Sequence, residues 1–187
     1  MLNQFDTNFK WINKIRDILN QVGRPDIWEN QFNFTDPFIH KSIKQTLVDQ
    51  FKQDWHSQLS QSNKGLVYMK FKLEHRLEPY FTKVAPQDFL TIFRYRTANH
   101  HLPIESGRWD GTPLHNRVCT LCDGNHVGSE LHYALECPYF NNSRAILLSN
   151  LPRGNADHVF SRLVNSQDEE TLHNLSKLLR IIMAKFT

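Results

Sequence analysis

The chain has 187 residues, of which 40% are hydrophobic, 12% aromatic and 22% charged. The aromatic share is too high for a disordered chain, and no apolar run reaches the roughly 18–20 residues that span a bilayer. These features exclude a collagen, a coiled-coil rod, a membrane protein and a secreted disulfide scaffold. Because the N-terminal sequence has no signal-peptide pattern, we expect an intracellular protein, nuclear or cytoplasmic. The net charge of +3 permits nucleic-acid binding but is too small to indicate it.

Two helices are predicted in the first third of the chain. Apolar residues recur every three or four positions over residues 3–22, which is the period of an amphipathic helix, and Gly23 is placed to end it. A polar loop is expected over 24–35. Asp36 then supplies the N-cap of a second helix, which ends at the polar run 60–65.

The middle of the chain is less regular. Residues 66–73 fit either a short strand or the start of a helix, and the sequence leaves both open. A helix is predicted from Pro86 to about Asn99. Residues 102–118 contain two prolines and two glycines and have no helical period, so an ordered loop is expected there.

Helices are predicted again after the last cysteine. The first covers residues 140–148, and a turn follows at 150–155. Ser166 or Asp168 can cap a final helix with a clear apolar stripe. The expected fold is mainly α: a helical N-terminal part, a small Cys3His zinc-binding module and C-terminal helices. The predicted parts are a helical linker (1–64), a helical connector with an Arg/His block (65–110), the zinc-binding module (111–141) and the C-terminal helices (142–187).

The three cysteines indicate a metal site. Cys119 and Cys122 are two residues apart, a spacing that lets the backbone direct both sulfurs at one ion, and a Gly-containing turn follows them. His132 and Cys137 complete a Cys3His set. Four such ligands fill a tetrahedral Zn²⁺ site and leave no open position, which is typical of structural rather than catalytic zinc.

Other interpretations of these residues are weaker. His126 is the rival fourth ligand, but it follows Cys122 too closely, whereas Ser129 can begin a helical turn that presents His132 inward; His115 is more distant. A cysteine enzyme would leave the clustering of all three cysteines unexplained. The sequence contains no P-loop, GxSxG or HExxH motif, so we expect a non-enzymatic protein.

Basic residues cluster in the segment RYRTANHH, residues 94–101. They could contact phosphates. The alternative is that they complement the dipole at the C-terminal end of a helix. Spacing alone favours the second interpretation.

Four blocks occur in a fixed order: YMKFKLEHRLEPY (68–80), FRYRTANHHLPIESGRW (93–109), RVCTLC (117–122) and ELHYALECPYF (130–140). In this arrangement the chain from about residue 65 onward resembles the C-terminal region of non-LTR retrotransposon (LINE-type) reverse transcriptases. The second block is similar to the family's Arg-Thr-x-x-His-x-Leu-x-Ile-Glu-x-Gly-Arg run, matched by Arg96, Thr97, His100, Leu102, Ile104, Glu105, Gly107 and Arg108. The last two blocks resemble its zinc-binding segment, which implies zinc ligands at Cys119, Cys122, His132 and Cys137.

The resemblance implies a non-catalytic module that contacts RNA or DNA, because the family's polymerase palm and endonuclease do not occur in this sequence. The missing polymerase portion of such a protein is a candidate partner. The candidate nucleic-acid contacts are Arg94, Arg96, His100, Arg108, Trp109 and Arg117. The alternative function is a structural or protein-interaction module, or a retroelement relic, in which zinc only stabilises the fold. The acidic balance over 119–147, with 1 basic against 3 acidic residues, favours that alternative.

Overall fold

The structure is a computed structural model that describes residues 9–30, 36–72, 74–149, 151 and 153–187. It is 68% helical, and the described part of the chain has no strand, only an isolated antiparallel bridge between Val118 and Val127. These features confirm the predicted mainly α class, with the Cys3His segment between helices. Within the same ranges, no helix is long and apolar enough to cross a membrane.

The chain forms two compact units, Met1–Ser57 and Gln58–Thr187, and the finer division into four parts stays a prediction. The described part of the first unit contains α1 (Lys10–Gln21), α2 (Pro25–Asn30) and most of α3 (Pro37–Ser60). The amphipathic helix predicted from residue 3 is confirmed from Lys10 onward, and residues 3–8 lie outside the described residues.

A glycine, a proline and an N-cap residue determine where these three helices begin and end. Gly23, at φ +72°, follows α1 in the left-handed conformation that glycine adopts without strain. The prediction of a polar loop is wrong over residues 25–30, which form α2. Pro25 begins this helix, at a position where a missing amide N–H costs no hydrogen bond. Residues 31–35 of the predicted loop lie outside the described residues. The predicted role of Asp36 as the N-cap of α3 is confirmed, since its Oδ1 accepts a hydrogen bond from the Phe38 amide at 2.8 Å.

The second unit holds seven further α-helices among the described residues. They are α4 (Asn63–Phe71), α5 (Tyr80–Lys83), α6 (Pro86–Arg96), α7 (Pro103–Trp109), α8 (Asn141–Leu147), α9 (Ala156–Val164) and α10 (Glu169–Met183). Helix α4 resolves the open assignment of residues 66–73 as helix up to Phe71, with Leu73 outside the described residues. Its N-cap is Ser62, whose Oγ accepts the Gly65 amide.

The predicted ordered loop over 102–118 is wrong at α7 and at a 3-10 turn, Leu114–Asn116. Pro103 is the first residue of α7, so it starts the helix rather than breaking it. Gly107 lies within α7, where an added Cβ would approach the Arg117 Cγ to 2.7 Å. Glycine therefore allows a close approach here and does not mark a helix end.

Helix α10 confirms the predicted apolar stripe and packs against α6, α8 and α9. Asp168, not Ser166, caps it, because its Oδ2 accepts the Thr171 amide at 2.8 Å. The stripe residues that α10 buries completely are Leu172, Leu175, Leu178, Leu179 and Ile182. The turn predicted at 150–155 is described only at residues 151 and 153–155.

A buried carboxylate joins α6 to α10. Asp88 on α6 lies 2.8 Å from His173 Nδ1, Ser176 Oγ and Arg180 Nη2 on α10. Burial alone would raise the pKa of Asp88, but the donors and charges of these three partners outweigh burial and lower it. The carboxylate is therefore ionised at neutral pH and holds the two helices together.

Candidate metal centre

A short hairpin carries the first two cysteines. The Cys119 amide donates to the His126 carbonyl at 2.7 Å, and the Gly128 amide donates to the Arg117 carbonyl at 2.8 Å. Asn125 closes the turn at φ +49°, a left-handed conformation that asparagine tolerates better than most residues. The Leu121 amide lies 3.4 Å from the Cys119 sulfur. This arrangement is the predicted turn after the CxxC pair.

The other two ligands come from a π-helical turn, His132–Glu136. Ser129 Oγ accepts the His132 amide at 3.2 Å, and the Cys137 amide donates to the His132 carbonyl five residues earlier at 2.6 Å. Because a π turn closes over five residues instead of four, it brings residues five apart onto nearly the same side. His132 and Cys137 therefore face the hairpin together.

The four ligand atoms lie within 4.8 Å of one another, and three of the four residues are buried. The Cys119 and Cys137 sulfurs are 3.8 Å apart, and the Cys122 sulfur is 3.5 Å from His132 Nε2. With bonds of about 2.3 Å to sulfur and about 2.0 Å to nitrogen, a tetrahedral Zn²⁺ would space two sulfurs by about 3.8 Å and a sulfur and nitrogen by about 3.5 Å. The group can therefore hold a metal ion, and these two distances fit zinc.

Protonation also suits a metal site. Burial, helped by the nearby His126, lowers the pKa of His132, so its imidazole is neutral and its Nε2 lone pair is available. Burial opposes ionisation of Cys119, but donors around its sulfur, including the Leu121 amide, outweigh burial and lower the pKa. Burial raises the pKa of the Cys137 thiol to about 12, so a bound cation must displace its proton.

Two side chains support the ligands, and sequence reasoning missed both. Glu136 Oε2 lies 3.7 Å from His132 Nδ1, on the side of the ring opposite the sulfurs. The buried Arg144 on α8 donates to the Cys137 carbonyl at 2.7 Å and to the Tyr133 carbonyl at 3.3 Å. Nothing in the sequence separates Arg144 from a surface arginine, because its partners in the metal segment are backbone carbonyls.

The alternative ligands do not join the group. His126 is exposed, and its ring lies against His132 with centroids 5.3 Å apart, outside the four-atom cluster. His115 is exposed on the 3-10 turn. The structure therefore brings His132, and neither rival, to the three sulfurs.

Two of the predicted nucleic-acid contacts are buried. Arg96 has no exposed surface, and its Nη1 donates to Glu78 at 2.9 Å and to the Tyr80 hydroxyl at 2.7 Å. His100 is also buried, with Nε2 3.2 Å from Glu130 Oε1. A side chain enclosed in this way cannot reach a phosphate, so the prediction is wrong for Arg96 and His100.

These buried residues instead attach α6 to the metal segment. The Leu102 amide donates to His100 Nδ1 at 3.4 Å, and His100 Nε2 lies 3.2 Å from Glu130 Oε1. The Tyr95 hydroxyl donates to the Glu130 carbonyl at 2.6 Å. Glu130 opens the helical turn that leads to His132, so this contact fixes one end of the metal-binding segment.

The other predicted nucleic-acid contacts differ in whether their side chains already have hydrogen-bond or ion-pair partners. Arg108 is held by Glu105, with its Nη2 2.6 Å from the carboxylate. Arg117 donates to the Thr112 and Ile104 carbonyls and is half-buried. Arg94 and Trp109 are exposed. Among the described residues, no carboxylate lies within ion-pair distance of Arg94.

Comparison with known proteins identifies no relative: no family model, curated protein or solved structure matches the chain.

Proposed function

We propose that this chain is a non-catalytic module in which Cys119, Cys122, His132 and Cys137 hold a structural Zn²⁺, and that the module binds nucleic acid. The observation that carries the zinc proposal is the Cys3His group, three of whose four residues are buried and whose interatomic distances of 3.8 Å and 3.5 Å suit tetrahedral coordination. Soft thiolate ligands favour zinc over Mg²⁺ or Ca²⁺.

Zinc in this site has a stabilising role. Three thiolates and one imidazole fill the coordination sphere, which leaves no position for a reacting water. The ion would join the hairpin to the π-helical turn, two short segments of the chain. Glu136 would orient the His132 ring, and Arg144 would hold the carbonyl of Cys137 and offset the negative charge of the thiolates.

Nucleic-acid binding is supported by the resemblance to the tails of non-LTR retrotransposon reverse transcriptases and by the exposed cation and aromatic ring of Arg94 and Trp109. Exposed arginines meet phosphates, and exposed aromatic rings stack on unpaired bases. The buried Arg96 and His100 are not part of this proposal.

The zinc proposal is tested by elemental analysis of the purified full-length chain and of two variants. We expect one zinc per chain, less than half of that in Cys122→Ser, and wild-type content in His126→Ala, which removes an exposed histidine beside the site. Full zinc content and unchanged thermal stability in Cys122→Ser would refute the structural-zinc proposal. Loss of zinc from His126→Ala would refute the ligand assignment.

The nucleic-acid proposal is tested by titrating labelled RNA and DNA oligonucleotides with the zinc-loaded chain at several salt concentrations. Phosphate contacts release counterions, so the logarithm of the affinity should fall linearly with the logarithm of the salt concentration. An affinity that does not respond to salt, or no binding at low salt, would contradict the proposal.

A protein-interaction module is the second candidate, and a patch of exposed apolar side chains favours it. Phe81, Leu90 and Phe93 are 38%, 45% and 37% exposed, and Phe81 and Phe93 pack with Phe89 into one aromatic cluster. Self-association of the zinc-loaded chain without binding to RNA or DNA would support this candidate.

A further inference from the structure

We propose that the groove between α6 and the C-terminal end of α10 binds a single polynucleotide strand, with Arg94 and Arg180 at its phosphates and Trp109 stacked on a base. The inference rests on the proposed nucleic-acid function and names the surface and the form of nucleic acid. Arg180, Asn99 and His101 enter the site here, although sequence reasoning did not select them.

The groove has a volume of 690 Å³, which is within the usual range of ligand-binding clefts. Leu90 and Met183 supply apolar surface, and Arg94, Arg180, Asn99 and His101 supply polar groups. Among the described residues that line the groove, none has an acidic side chain. A cation-lined groove with this composition is complementary to a phosphate backbone.

The two arginines retain donors for a ligand. Arg180 uses its Nη2 on Asp88, and its side chain is still 40% exposed. A guanidinium has five N–H donors, so this contact fixes the side chain and leaves other donors facing solvent. Arg94 is exposed on the last turn of α6, four residues after Leu90.

The turn after α6 directs the polar side chains to the groove. The Asn99 amide donates to the Arg94 carbonyl at 2.9 Å and the Ala98 amide to the Tyr95 carbonyl at 3.4 Å, which are the two bonds of a Schellman motif. Ala98 takes the left-handed conformation, at φ +52°. The reversal of the chain leaves Asn99 exposed on the groove.

Two neighbouring histidines line the groove but differ in exposure. His100 is buried, with its Nε2 3.2 Å from Glu130 Oε1, and His101 is exposed. The His101 ring meets Trp109 edge to face, with centroids 5.2 Å apart and an interplanar angle of 80°. Trp109 does not itself line the groove, but it is 49% exposed, so one part of the indole contacts His101 while the rest is open beside this groove residue.

This geometry favours a single strand over a duplex. Bases can stack on Trp109 only if they are free of a double helix, and a protein groove that follows one backbone with an aromatic platform beside it is typical of single-strand binding. RNA and DNA share this chemistry, so both strands are expected to bind, and their relative affinity reports which of them the groove prefers.

The test uses the full-length zinc-loaded chain and fluorescein-labelled 20-mers of oligo-U and oligo-dT, with a 20-base-pair DNA duplex as the competitor. The variants are Arg94→Gln and Trp109→Ala, which alter exposed side chains. Arg162→Gln is the matched control, since Arg162 is exposed on α9 and does not line the groove. Zinc content and melting temperature are measured for each variant to establish that it is folded.

We expect Trp109→Ala to weaken single-strand binding by about 5- to 150-fold, the effect of losing one stacked base. Arg94→Gln should reduce the slope of log affinity against log salt by about 0.7, the value for one lost phosphate contact on a single strand. Arg162→Gln should bind as the wild type does, and Trp109→Phe should recover most of the affinity because it restores a ring.

The outcomes separate this inference from the proposed function. If the wild-type chain binds neither the single strands nor the duplex, both are refuted. If it binds and the two groove variants bind equally well, or if Arg162→Gln has the same effect as Arg94→Gln, the groove is refuted and the proposed function stands. Tighter binding of the duplex than of either single strand would refute the single-strand assignment.

Discussion

Arg144 provides the most direct test of how the metal-binding segment is held in place. It is buried on α8, and its guanidinium donates to the backbone carbonyls of Tyr133 and Cys137 and to the Asn141 side chain. Replacing Arg144 with Met keeps the length and most of the volume of the side chain but removes every donor. The carbonyls of Tyr133 and Cys137 then lose their charged partner at the point where Cys137 must face the other ligands.

The expected cost follows from these contacts. Each buried acceptor left without a donor costs about 1–3 kcal/mol. Removing a buried guanidinium also removes its desolvation penalty, and methionine fills the space well, so part of the loss is recovered. We expect Arg144→Met to lower the free energy of unfolding by about 2–4 kcal/mol, which corresponds to a fall in melting temperature of roughly 8–16 °C for a unit of this size.

The assay combines thermal unfolding of the zinc-loaded chain with the rate of zinc transfer to a chromophoric chelator under native conditions. Arg144→Met should release zinc faster, since the loosened Cys137 carbonyl no longer fixes the sulfur. Arg144→Lys retains one charged donor and should be intermediate in both measurements. Arg162→Met removes an exposed arginine and is the control. A melting temperature and zinc-release rate of Arg144→Met equal to those of the control would refute the positioning role.

Three further predictions concern the connections around α6 and α7. Tyr95→Phe removes the hydroxyl that donates to the Glu130 carbonyl and should cost about 1–2 kcal/mol in urea unfolding; an unchanged midpoint would contradict the contact. Asp88 has a lowered pKa in the folded state, so its stabilisation is present above its ordinary pKa and is lost as the pH falls through the folded value. Asp88→Asn should therefore be less stable than the wild type at pH 7, and the difference should begin to shrink below about pH 4 and disappear once the pH is below the lowered folded pKa, when melting is followed against pH. Gly107→Ala places a Cβ 2.7 Å from Arg117 Cγ and should cost about 1–3 kcal/mol in the same urea assay. Gly111→Ala is the comparison: no atom lies within 4 Å of the added Cβ, and the φ of +71° means that any cost there comes from backbone strain alone.

The helices that the sequence predicts well are those with a periodic apolar face. The stripe of α10 and the buried residues of α1 follow directly from a spacing of three and four, because burial of that face is what stabilises each helix. Helices α2 and α7 were not predictable in the same way. They are short, they begin at prolines, and their polar sequences also fit loops.

The candidate metal ligands were predictable from residue type, but their arrangement was not. Three clustered cysteines and a histidine indicate the ligand set, because few other structures need these residues together. The spacing of His132 and Cys137 gives no warning of a π-helical turn, since an α-helical turn would carry the two residues to different sides. The turn depends on tertiary contacts such as the donors of Arg144, which lie outside the segment.

The eight residues on which the predicted resemblance rests, here called the motif, show why the predicted binding residues divide as they do. Four of them are buried, namely Arg96, His100, Leu102 and Glu105, and the other four are half-buried. The motif therefore describes an internal scaffold that joins α6 and α7 to the metal segment, and its basic residues serve buried carboxylates. The exposed groups are Arg94, Asn99, His101 and Trp109, which lie between or beside these eight residues in the sequence. A sequence shows residue type and order but not the side to which each residue points, so Arg96 and His100 were as attractive as Arg94. It follows that substitutions at the motif residues should act mainly on stability, and substitutions at the exposed positions should act on binding while leaving stability unchanged.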